Sequence, residues 1–144
     1  MDLVKVGQQL NIEKFIRVPR NVVDLLKCKE SKLKPVDVLA YSLMLNRLSL
    51  SIGRPHEFSK NGVFYIVYEQ KELAADLGLS NRGIINTLQR LEDAGLILVE
   101  RQGKMLPNLY MFYDIFDLSS ESLCEKFSPV CKICTHEVQK CHCI

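Results

Sequence analysis

Between residues 69 and 113 the period of the apolar positions changes, and each change marks an element. Leu73, Ala74 and Leu77 recur at spacings of one and three with Lys71, Glu72 and Asp76 outside them, which predicts a short helix over 69–77. Gly78 permits the positive φ that stops a helix, and Ser80 stands where an N-cap receives the next one. That second helix, about 81–94, puts Ile84, Leu88 and Leu91 on one face and Arg82, Asn86, Gln89 and Asp93 on the other. Gly95 takes the C′ position, the apolar run 96–99 has strand character, Pro107-Asn108 signals a turn, and 109–113 reads as a returning strand. Helix, short turn, helix, strand, polar loop and strand is the order of a winged helix-turn-helix, so the expected class is α+β with a small antiparallel sheet.

The flanking pattern is weaker. Residues 1–12 show no strong period and are expected as a loosely ordered leader. Residues 15–18 read as a short strand stopped by Pro19, and Val22, Val23, Leu25 and Leu26 as a brief helix capped by Asn21. Pro35 starts a helix running to about Ser51, where Val38, Leu39, Ser42, Leu45 and Leu48 or Ser49 trace a stripe with Tyr41 and Met44 alongside. This helix is expected to be the most buried. A loop spans 52–60, with His56 as a surface residue, and Asn61-Gly62 turns the chain into a strand over 63–68 that would pair with the wing. The domain is thus placed at 13–118, followed by a cysteine-rich tail or linker start at 119–144.

Composition fits one domain: 144 residues, 47% apolar and 25% charged, allow a core. The net charge of +2 is a weak sign of a nucleic-acid partner. Residues 69–113 hold five Lys/Arg (71, 82, 90, 101, 104) against six acids (69, 72, 76, 92, 93, 100), so binding has to rest on placed residues rather than on a basic surface. The first 34 residues carry eight Lys/Arg against four acids, an excess that suits phosphates, with a solvated surface as the plainer reading. No run is long and apolar enough for a signal or a membrane span, which predicts a cytoplasmic protein with no membrane partner. In that reducing compartment the six cysteines are not expected to form a structural disulfide set.

Candidate chemistry follows from placement. Arginine bonds bidentately to guanine, and asparagine or glutamine to adenine, so Arg82, Asn86 and Gln89 suit base edges in a major groove, and Arg90 at the flank suits a phosphate. The wing, with Arg101, Gln102 and Lys104, suits phosphates or a minor groove. The plain alternative is the solvated face that any amphipathic helix carries. There is no G-x-x-x-x-G-K-[ST], H-E-x-x-H or G-x-S-x-G, nor a His-apolar-His cluster, so no enzyme is expected. Two further readings of this fold stay open. One is a transcriptional repressor of the same fold, metal- or redox-responsive, and the other a winged helix that docks only proteins.

Four segments resemble the amino-terminal domain of RepA-type plasmid replication initiators: FIRVPRNVVD at 15–24, LKPVDVLAYSLMLNRLSLSIGR at 33–54, NGVFYIVYEQKELAADLGLS at 61–80 and RQGKMLPNLY at 101–110. The last is the most specific. The resemblance implies a homodimeric winged-helix domain that binds double-stranded DNA at repeated origin sites and starts theta-type replication, with host replication proteins as further partners. It assigns Ser80, Asn81, Arg82, Asn86 and Gln89 to the recognition helix, and Arg101, Gln102, Lys104 and Asn108 to the wing. Full-length members carry a further carboxy-terminal domain, whereas this sequence stops at Ile144, so a fragment, a truncated gene or a short relative is expected.

Near the end, Cys131, Cys134, Cys141 and Cys143 in C-x-x-C and C-x-C spacing form a candidate zinc set, since four thiolates can close a tetrahedron. The competing reading is an unstructured linker start, because 136–140 resembles the polar linkers of RepA relatives. No cofactor is expected for the domain itself, zinc at these thiols being the one candidate.

Overall fold

Pro35 opens the longest helix, α2 (Pro35–Ile52), where a missing N–H costs nothing because the first amides of a helix have no internal partner. The chain is described here from a computed structural model covering residues 2–11, 14–28, 30–53 and 57–125. The Asp37 carboxylate reaches back to accept the Lys34 N–H at 2.8 Å, closing the start of α2. Val38, Ala40, Tyr41 and Met44 are buried. Tyr41 and Met44, expected beside the stripe, therefore lie in its centre, and Leu39, expected within it, is exposed. The shift arises because α2 is packed by neighbours on several sides, so its buried arc is wider than a single stripe.

Ahead of α2, α1 (Arg20–Asp24) continues into a 3-10 turn, Leu25–Lys27. Residues 15–18 do not form the expected strand, having no ladder partner among the described residues. Pro19, not Asn21, occupies the N-cap. The Asn21 amide instead donates to the carbonyls of Ile115 (3.0 Å) and Leu118 (3.1 Å), joining α1 to the far end of the domain. Cys28, buried just after the 3-10 turn, is disulfide-bonded.

The expected loop before Asn61 supplies a strand, β1 (Ser59–Lys60), which pairs antiparallel with β2 (Val63–Phe64). Asn61 (φ 55°) and Gly62 (φ 78°) both have positive φ, as a tight two-residue hairpin requires. The single strand expected over 63–68 is thus divided into β2 and β3 (Ile66–Val67). Next come α3 (Gln70–Leu77), the left-handed Gly78 (φ 68°), and α4 (Asn81–Asp93), whose N-cap Ser80 accepts the Gly83 N–H at 3.1 Å. Gly95 (φ 73°) redirects the chain into β4 (Ile97–Glu100), and β5 (Leu109–Phe112) returns.

β5 lies in the middle of a three-stranded antiparallel sheet ordered β3-β5-β4, with Tyr110 opposite both Ile66 and Val99. One core joins this sheet to all the helices: Val22, Leu25, Tyr41, Met44, Leu73, Ile84, Leu91 and Ile97 share it. Tyr41 meets the Phe112 ring edge-on at 5.8 Å. The architecture is the expected α+β winged helix-turn-helix. The segment expected as a tail begins with a further helix, α5 (Ser120–Glu125), whose Leu123 is buried in the same core.

Candidate nucleic-acid interface

Helix α4 buries Ile84, Thr87, Leu88 and Leu91, which turns Asn81, Arg82, Ile85, Asn86 and Gln89 outward. Asn81, Arg82 and Asn86 make no side-chain hydrogen bond or ion pair among the described residues, so their donors and acceptors face solvent. Gln89 donates to the Asp93 carboxylate one turn on, at 2.9 Å, within the same exposed ridge. Ser80 spends its oxygen on the cap that fixes where this face begins.

Arg90, whose position suggested a flanking phosphate contact, is engaged inside the fold. Its guanidinium is 22% exposed and turned inward onto Asp37, which is fully buried. This pairing raises the Arg90 pKa, chiefly through the hydrogen bond to Asp37. The arginine holds α4 to α2.

The wing is clipped shut by Gln102, whose amide donates to the Pro107 carbonyl at 2.7 Å. Gln102 thus shapes the loop, an assignment that separates it from the other wing candidates. Gly103 (φ 105°) and Met105 (φ 73°) both adopt positive φ in this loop, presenting Lys104 and Met105 to solvent. Arg101 reaches Glu92 of α4 at 3.5 Å, tying the wing to that helix while staying 65% exposed. A groove runs between the wing and the start of α3, lined by Gln70, Lys71, Arg101, Lys104 and half-buried Asn108. Lys71 was missed in the sequence, where it counted only as an outer residue of the first helix. Its proximity to the wing is a tertiary fact.

The charge balance looks different once partners are assigned. Glu100 bonds Lys60 at 2.6 Å, Glu92 bonds Arg101, Glu72 bonds Arg47 at 2.9 Å, and Asp76 accepts from the Tyr68 hydroxyl. With Asp93 accepting from Gln89, five of the six acids in 69–113 are engaged, and Lys71, Arg82 and Lys104 stay exposed. Arg47 also lies over the Tyr68 ring at 3.7 Å and donates to the Val67 carbonyl at 2.9 Å, so one side chain fixes α3 to α2 and β3. Burial, then the bond to Asp76, pushes the Tyr68 hydroxyl up to about 12.

The candidate zinc ligands Cys131, Cys134, Cys141 and Cys143, like His56, lie outside the described residues. Among the described residues no cluster of three or more His, Cys, Asp or Glu could hold a metal ion, and no helix is long and apolar enough to cross a membrane.

The sequence profile of the family described as replication initiator protein A (RepA) N-terminus matches residues 14–125. Three solved structures share the fold. One is described as the N-terminal domain of a DNA binding protein (TM-score 0.58, 23% identity, covering 83% of this chain and 94% of that one). Another is a Rep-DNA complex (0.56, 23%, 74% and 84%). The third is an MDR initiator (0.57, 20%, 83% and 97%). Comparison with curated proteins gives no match.

Proposed function

The chain belongs to the family of RepA replication initiator N-termini, and on that premise we propose that it is a DNA-binding domain recognising repeated double-stranded sites at a plasmid origin to start replication. The observation that carries this reading is the outward set Asn81, Arg82 and Asn86 on α4, left without intramolecular partners while the neighbouring acids are largely engaged. Free amide and guanidinium groups on a helix that stands proud of its core match the donor and acceptor patterns of base edges. Arg101, Lys104 and Lys71 would lie on phosphates beside it, fixing register without reading sequence. Support also comes from the Rep-DNA complex among the proteins of like fold. Binding as a homodimer would place two recognition helices on adjacent half-sites.

Selection from a random duplex library, followed by titration of the enriched sequence at several salt concentrations, tests the proposal. It expects one recurring sequence and an affinity that falls steeply with salt. Failure to enrich any sequence, with no salt-sensitive binding to any duplex, rejects it in favour of a protein-docking module.

A further inference from the structure

Ile85 is an apolar residue in the middle of the polar face of α4, and 46% exposed. It stands four residues after Asn81 and four before Gln89 on one helical ridge, and three after Arg82. The buried side of α4 is already filled by Ile84, Thr87, Leu88 and Leu91, so the core makes no use of it. A β-branched side chain at a solvated helix position brings neither propensity nor packing. In a major groove the same side chain meets the one apolar group that base edges offer there, the C5-methyl of thymine.

We propose that Ile85 is a specificity-determining residue that reads a thymine methyl, with Arg82, Asn86 and Gln89 supplying polar contacts to neighbouring base pairs. This rests on the DNA-binding reading above. Its ridge position sets the thymine between the base pairs reached by Asn81 and by Gln89. The branched chain is stiff at χ1, so the contact needs little ordering on binding.

Uracil has the edge pattern of thymine without the methyl, so replacing thymines one at a time by deoxyuridine in the selected duplex isolates the contact. Wild-type affinity should fall roughly fourfold at one position per half-site, the worth of one buried methyl group. The Ile85→Ala protein should bind thymine and uracil duplexes equally, and Ile85→Val should keep most of the difference. Its unchanged melting temperature would verify that the exposed substitution leaves the fold intact. If no thymine is sensitive to uracil, or if Ile85→Ala retains the sensitivity, the inference is overturned while sequence-specific DNA binding stands. If no duplex can be selected at all, the DNA-binding reading fails and takes this one with it.

Discussion

Arg90 holds Asp37 through two bonds, Nε to Oδ2 at 2.7 Å and Nη2 to Oδ1 at 2.9 Å, across 53 residues of sequence. The same carboxylate closes the start of α2, so the orientation of α4 and the beginning of the longest described helix are set by one group. Removing one partner leaves the other with an uncompensated buried charge. Arg90→Ala is therefore expected to destabilise the domain by about 3 kcal/mol in urea unfolding. A stability loss below about 1 kcal/mol, with weakened DNA binding instead, would restore Arg90 to the phosphate role.

Arg82 is expected to behave in the opposite way. Arg82→Ala should leave the melting temperature unchanged, cost roughly 1–3 kcal/mol on the selected duplex, and relax preference at one base pair. Equal affinity of mutant and wild type for that duplex would remove Arg82 from the interface.

Lys104, exposed in the wing, is a test of position without readout. Lys104→Ala should weaken binding evenly across sequences and lower the slope of log affinity against log salt by about 1. A loss confined to one sequence would contradict a phosphate contact.

Alkali should destabilise the fold through its buried phenols. Tyr68 is pushed up to about 12, and burial also raises Tyr41 and Tyr110 from the usual 10. Below pH 10 folded and unfolded chains both keep these protons. Above it the unfolded chain ionises first, so stability is full below about pH 10 and declines as pH rises toward 12. Thermal melts between pH 9 and about 11.5 should show this decline, and Tyr68→Phe should make it shallower, leaving the part due to Tyr41 and Tyr110. A melting temperature constant across the range would show that the phenols titrate alike in both states.

The Tyr41 hydroxyl is buried and has no hydrogen-bond partner among the described residues. Tyr41→Phe keeps the ring against Phe112 and removes the unsatisfied group, so a gain of about 1 kcal/mol is expected by denaturant titration. A loss of similar size would indicate that the hydroxyl is satisfied in solution.

The helix-turn-helix and wing were legible because their determinants are local. Gly78, Ser80 and Gly95 punctuate the chain where they stand, and the stripe Ile84, Leu88, Leu91 fixes which side of α4 is buried. What could not be read depends on distant partners. Nothing near Arg90 announces Asp37, and nothing near Asn21 announces Ile115, 94 residues away. Arg82 on the polar face and Arg90 at its flank both suit DNA on a helical projection, yet one faces solvent and the other reaches a buried acid. Ile85 carries no hydrogen-bonding group, so a pattern of donors and acceptors along α4 does not mark it. At the edges, residues 15–18 had strand-like composition without a strand to join, and α5 was hidden in a segment judged by its cysteines.

The two bonds from Asn21 to the Ile115 and Leu118 carbonyls have a bearing on biosynthesis. During translation the helix-turn-helix and wing are complete once β5 has left the ribosome, but α1 still lacks the carbonyls that receive Asn21 and the Leu123 side chain that shares its core. Among the described helices α1 therefore depends on partners about 94 residues further on, a loop whose closure is entropically costly. A chain ending at the wing would lack both acceptors of Asn21 and the Leu123 side chain of the shared core, so the segment through α5 belongs to the folding unit and not to a tail.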